Sequence, residues 1–225
     1  MVRSLDNCLH KKRISMNEQR LTLWGAGTSR TIRPIWIAEE LGLNYSLKPI
    51  GPRTGETQTE SYTRINPKQK IPALQDGNLE LSESVAICRY LVNRYGSTST
   101  ILSASTHEEQ ARQDEWLSFI YGELDETSLY VIRRHEALSS IYGEAPNAIA
   151  AAREYFQKQI IIVDDHLRDK QFLVNNKFGV ADIFLTTCLD WANRYKIPLS
   201  KNTKIYLDRM IGRPGYKAAV LRNRN

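Results

Sequence analysis

Cysteine is scarce in this 225-residue chain: Cys8, Cys88 and Cys188 form an odd, widely spaced set. That argues against a disulfide framework or a zinc site, and for a reducing compartment. None of the four histidines has metal-ligand spacing, so no metal is expected. No run of about 18 apolar residues is present, which excludes a transmembrane helix. The first 20 residues lack the apolar core of a secretory signal, so a cytoplasmic location without a membrane partner is expected. Gly25-Ala26-Gly27 lacks the third glycine of a dinucleotide fingerprint, because Arg30 stands there. No Lys-Ser/Thr pair follows, which removes a P-loop as well.

The net charge of +6 is less informative than its distribution. Arg3, Lys11, Lys12, Arg13 and Arg20 face only Asp6 and Glu18 within residues 1–20, while the body is nearly balanced. A nucleic-acid partner would want a concentrated basic face in the body, so none is expected, and 1–20 reads as a flexible basic leader.

Leu21–Trp24 reads as a strand, Thr31–Leu41 as a helix stopped by Gly42, and Tyr45–Ile50 as a second strand. Strand, helix, strand suggests a parallel βαβ unit, because parallel neighbours need a crossover. A short helix near Thr57–Arg64 precedes a run from Ile71 to Leu81, divided at the hairpin signal Asp76-Gly77, and Glu83–Tyr95 is an amphipathic helix. Beyond the polar stretch Gly96–Thr100 the strand signals mostly vanish. Helices are expected over Glu108–Leu138, from Pro146 to about Asp169, over Val180–Tyr195 and over Leu207–Arg222, the last interrupted near Pro214. The expected architecture is α/β plus all-α: residues 21–96, a linker at 97–106, and a helical domain over 107–225.

Within Asn66-Pro67-Lys68-Gln69-Lys70-Ile71-Pro72-Ala73-Leu74, Pro72 removes a ladder donor, so a strand must begin at it or beside it. A cis Ile71–Pro72 bond would let Ile71 turn its backbone N–H and C=O towards a ligand, and only X–Pro bonds adopt cis at small cost. Glu83-Ser84 sits where strand becomes helix, where exposed N–H groups attract a carboxylate.

With Thr28-Ser29-Arg30-Thr31-Ile32-Arg33, Glu39-Glu40-Leu41-Gly42-Leu43, Ser82-Glu83-Ser84-Val85-Ala86-Ile87, Glu115-Trp116-Leu117, Phe172-Leu173-Val174, Val180-Ala181-Asp182-Ile183 and Arg213-Pro214, in that order and spacing, the chain resembles the cytosolic glutathione S-transferases, in their bacterial-type, serine/threonine-dependent subgroup. The resemblance spans about residues 21–222. It implies a thioredoxin-like βαβαββα domain followed by a helical bundle, a homodimer, and glutathione as cosubstrate without a metal. It also implies a reaction in which the glutathione thiolate attacks a small hydrophobic electrophile. Ser29, with Thr28 as its neighbour, is the implied activating hydroxyl. Ile71, beside Pro72, would pair with the cysteinyl backbone. Glu83 and Ser84 would hold the γ-glutamyl end, and Lys70, with Gln69, the glycine carboxylate. Trp116, Tyr121 and Asp125, on the long helix, would face the electrophile.

By residue chemistry alone, Thr28 and Ser29 are equally suited to be N-terminal caps, and Arg133-Arg134-His135 reads as a solvated helix face. Gln69 and Gly179 depart from the family pattern, which usually has Gly at the former and Ser or Thr at the latter. No cysteine lies near residues 25–33, which argues against a cysteine-dependent thiol transferase. A non-catalytic binding module, or a glutathione-dependent isomerase, dehalogenase or peroxidase, are the competing readings.

Overall fold

The structure, a computed structural model, describes residues 21–96, 101 and 103–224. The leader lies outside the described residues, as does part of the expected linker. Four strands form one mixed sheet in the order β2-β1-β3-β4: β1 (Leu21–Trp24), β2 (Ser46–Lys48), β3 (Ala73–Asp76) and β4 (Leu79–Ser82). β1 runs parallel to β2 and antiparallel to β3, and β3 pairs antiparallel with β4. Helix α1 (Ile32–Glu40) is the crossover between the parallel pair, as the strand–helix–strand pattern requires. A 3₁₀ turn (Glu56–Gln58) and α2 (Glu60–Ile65) lead into β3, and α3 (Ser84–Tyr95) leaves β4. α2 starts where Thr59 can cap it, its hydroxyl accepting from Tyr62 N at 3.3 Å.

The second half is helical: α4 (His107–Phe119), a π-helical stretch (Ile120–Tyr130), α5 (Val131–His135), α6 (Ser139–Tyr142), α7 (Pro146–His166), α8 (Val180–Arg194), α9 (Lys201–Ile211) and α10 (Pro214–Arg222). The long helix expected over Glu108–Leu138 is therefore a continuous rod whose middle is wound wider. The helix expected from Leu207 begins earlier, at Lys201, and is broken before Pro214.

α8 is the hub of the helical domain, buried along almost its whole length. Its first turn shows how Gly179 is tolerated. The Asp182 carboxylate accepts from Gly179 N at 2.9 Å, from Leu173 N at 3.0 Å and from Tyr206 OH at 2.8 Å. Half of a capping box is thus kept without an N-cap hydroxyl. Burial pushes the Asp182 carboxyl up to about 6, against the pull of those three donors.

Two contacts seat the sheet domain on the bundle. Arg213 donates two hydrogen bonds to Glu40, both at 2.8 Å, while Trp36 donates to the same carboxylate at 2.9 Å. Trp36 also meets Tyr216 edge-on at 4.8 Å, and the Arg213 guanidinium lies 3.8 Å over Phe178. Deeper in, Arg33 of α1 and Asp125 of the π-helical stretch, both fully buried, pair at 2.5 Å.

Candidate active site

The loop after β1 is shaped from two sides. Gly25 takes φ +104°, and a Cβ there would stand 2.5 Å from the Ile71 Cβ, so only glycine lets Ile71 approach this closely. The Thr28 hydroxyl oxygen accepts from Thr31 N at 3.0 Å and from Arg30 N at 3.2 Å. It therefore closes the first turn leading into α1. The Asn223 side chain joins from α10's far end, donating to the Thr28 carbonyl at 3.1 Å and accepting from the Thr31 hydroxyl at 2.7 Å.

Ser29 is held differently. Its hydroxyl oxygen accepts from Arg194 Nη2 at 2.8 Å, across the junction of the two domains. That contact fills a lone pair on Oγ and leaves the hydroxyl proton to be donated elsewhere.

Opposite stands the Asn66–Leu74 stretch. The Ile71–Pro72 bond is cis. The Lys70 carbonyl accepts from Tyr62 OH at 2.6 Å and from Asn66 Nδ2 at 2.7 Å, which pins the loop ahead of β3. Gln69 adopts φ +54°, the left-handed region where glycine is easiest. Gln69 meets that backbone requirement without being glycine, helped by a 3.1 Å bond from its amide to Thr63. Ala73 pairs with Ser82, so the hairpin sets Glu83 and Ser84 next to Pro72 and Ile71. Glu83 is at φ +74°, its carboxylate bound by Lys68 Nζ at 2.7 Å, and Ser84 opens α3 as a buried residue.

Between these walls lies a cleft of about 430 Å³. Thr28, Ser29, Gln69, Lys70 and Ile71 all line it; Pro72, Glu83 and Ser84 are not among its lining residues, although the hairpin register sets Glu83 and Ser84 beside Pro72 and Ile71. The helical domain supplies Tyr130, Arg133, Tyr142, Trp191, Arg194 and Tyr195, and the loop after β2 supplies Arg53. A second cavity, of about 440 Å³, lies on the other side of Ser29 and Arg194, walled partly by Ile211, Tyr216 and Val220.

The three residues expected to face an electrophile do not line this cleft. Trp116 lines a separate cavity of about 630 Å³ with Phe119 and Leu173, its ring 4.6 Å from that of His166. Tyr121 turns its hydroxyl to Glu126 at 3.2 Å. Asp125 is fully buried between Arg30 (2.6 Å) and Arg33 (2.5 Å). Burial would raise its carboxyl, but the two guanidinium groups outweigh this and hold it below the usual carboxylate range. Arg133, read from sequence as part of a solvated face, is half-buried in the cleft wall instead. Its neighbour Arg134 stacks 4.6 Å over Tyr142. Only the aromatic and basic composition of 130–134 and 191–195 could have signalled these positions.

Cys88 and Cys188 are fully buried, and burial pushes both thiols up, Cys188 to about 12, so neither supplies a thiolate. Among the described residues no group of three His, Cys, Asp or Glu could hold a metal ion, and no helix is long and apolar enough to cross a membrane.

The chain is similar to known proteins along most of its length. Residues 19–93 match the profile of the glutathione S-transferase N-terminal domain, and residues 130–214 that of the C-terminal domain. Glutathione S-transferase theta-1 of Rattus norvegicus is 28% identical over 163 residues, covering 71% of this chain and 68% of the rat protein. The glutathione S-transferase-like protein gedE of Aspergillus terreus is 27% identical, covering 89% of this chain and 94% of its own. The theta class glutathione S-transferase of Xanthomonas axonopodis pv. citri, solved with glutathione bound, superposes with a TM-score of 0.74 at 26% identity, over 90% of this chain and 98% of that one.

Proposed function

We infer the function from one premise: the chain belongs to the glutathione S-transferase family. It is accordingly a glutathione transferase, with glutathione as cosubstrate. Within that activity we propose that Ser29 activates the thiol. The observation that carries this is the division of labour between adjacent hydroxyls: Thr28 is consumed in closing the α1 turn, whereas Ser29 is exposed to the cleft with Arg194 on its lone pair.

A free thiol with pKa of about 8.5 is mostly protonated at neutral pH. A hydroxyl donor at the sulfur, with a guanidinium 2.8 Å behind that hydroxyl, favours the anion through a hydrogen bond and through charge. A shift of about two units corresponds to about 2.7 kcal/mol of preferential thiolate binding. The thiolate then attacks an electrophilic carbon held against the helical domain. The Ile71 backbone, Glu83-Ser84 and Lys70, with Gln69, are proposed to hold the cysteinyl, γ-glutamyl and glycine parts of glutathione. A homodimer and a cytoplasmic setting, typical of the family, belong to the same reading.

The test compares wild type with Ser29→Ala and Thr28→Val, following conjugation of 1-chloro-2,4-dinitrobenzene and the ultraviolet titration of the bound thiolate. Ser29→Ala should keep glutathione bound, raise the thiol pKa and lower kcat/KM on the order of 100-fold at pH 6.5. Thr28→Val should mainly cost about 1 kcal/mol of stability, as the loss of a cap does. Unchanged thiol pKa and turnover in Ser29→Ala would move the role off Ser29.

A further inference from the structure

Among the described residues the cleft is lined by five cations, Arg30, Arg53, Lys70, Arg133 and Arg194, and by no aspartate or glutamate. Two of the five have partners among the described residues. Arg30 is neutralised by Asp125 and Glu126, at 2.6 and 2.9 Å, and Arg194 is shared between Ser29 at 2.8 Å and Asp190 at 3.4 Å. Lys70 is taken up, in the reading above, by the glycine carboxylate. Arg53 and Arg133 remain, and among the described residues neither has an ion-pair partner. They come from different domains and act on each other: burial, and then the charge of Arg53, hold the Arg133 guanidinium below its usual range. Two like charges lining one cleft, the Arg133 guanidinium half-buried, repel each other unless an anion is placed between them. The surrounding wall is aromatic, with Tyr130, Tyr142, Trp191 and Tyr195, and suits a flat body rather than a flexible chain.

We propose that the second substrate is a planar organic anion, an aromatic electrophile carrying a carboxylate, which the guanidinium groups of Arg53 and Arg133 hold while its ring lies against the tyrosine wall. This rests on the glutathione transferase reading and deepens it. With a 4-chloro-3,5-dinitrobenzoate probe the step is an aromatic substitution. The thiolate sulfur bonds to the ring carbon bearing chlorine, the carbon–chlorine bond breaks, chloride leaves with the electron pair, and the thiol proton has already passed to solvent. The carboxylate stays unchanged and serves only as a handle.

The test sets 4-chloro-3,5-dinitrobenzoate against its methyl ester, each rate divided by its uncatalysed rate with glutathione. At low salt the wild type should favour the acid by about tenfold, the size of one charge-assisted contact. Arg53→Gln and Arg133→Gln should each abolish that preference while the KM for glutathione stays within about twofold, as expected where the lost contact belongs to the other substrate. Arg53 is exposed on a loop, so its variant remains informative even if Arg133→Gln folds poorly. An ester favoured as much as the acid would overturn the proposal in favour of a neutral electrophile, for which the cavity beside Ile211 and Val220 is suited. A KM for glutathione that rises in both variants would overturn it too, by giving the arginine pair to glutathione's own carboxylate. Calorimetric titration with unreactive 3,5-dinitrobenzoate and its methyl ester separates this proposal from its premise. Tighter binding of the acid, lost in the variants, supports the anion site even where no conjugation occurs, and such a lack of conjugation would then count against Ser29 activation alone. Equal binding of acid and ester overturns the anion site.

Discussion

Asp125 shows most clearly what a single residue contributes. Its two oxygens pair with Arg30 and Arg33, and Arg33 has no access to solvent at all, its Nη1 lacking a hydrogen-bond partner among the described residues. Asp125→Asn would leave a buried guanidinium without its counter-charge, which costs about 3 kcal/mol or more. For a chain of this size that is a fall in Tm of about 6–12 °C by calorimetry. The pH dependence has a definite sign. The carboxyl is held below its usual value of 3.8, so its stabilisation is present above that value and is lost as pH falls below it. The gap between wild type and Asp125→Asn should therefore be constant from pH 5 to 8 and shrink below about pH 4. None of this was legible in the sequence. An acidic residue on a helix facing a cleft looks the same on paper whether it meets a substrate or two arginines, and only the fold brings position 33 to position 125.

At the scale of elements, what could be read depended on how local each element's cause is. The strands, α1 and α3 follow from alternation, helical spacing and turn residues, all of which act within a few positions. The widened winding between Ile120 and Tyr130 does not, because nothing in the order of those side chains distinguishes it from ordinary α-helix. Its consequence is a shifted face. Tyr121 and Asp125, which the family resemblance set towards the electrophile, turn away from the cleft, while Tyr130 and Arg133 line it. The start of α9 and the short α6 were missed for a related reason, being held by tertiary contacts more than by propensity. The seating of α10 on α1 gives a test at this scale. Arg213→Ala removes two hydrogen bonds to the nearly buried Glu40 and the stacking on Phe178. It should cost about 2 kcal/mol, and hydrogen exchange should rise over 214–222 before it rises in α8.

For the whole molecule, the charge balance of the body conceals a gradient. Five cations line one cleft with no carboxylate among its described lining residues, and low-dielectric walls focus their field on whatever approaches. Glutathione carries two carboxylates, so its capture should be steered. The kcat/KM for glutathione should fall about two- to fivefold between 50 and 500 mM salt while kcat changes little, as screening of an encounter predicts. The two-part α/β plus all-α plan and the strand start at Pro72 could be read from one-dimensional order. The gradient could not, because Arg53, Arg133 and Arg194 are far apart in the chain and meet only at the domain junction.

The link between Asn223 and the loop at Thr28 bears on when the molecule becomes competent during its synthesis. The two residues are separated by 195 positions, yet the shape of the loop beside Ser29 depends on their contact. A ribosome delivers the β1 loop early and Asn223 almost two hundred residues later. The nascent chain can therefore complete its sheet long before the loop beside Ser29 can take its final shape, which waits for the last helix.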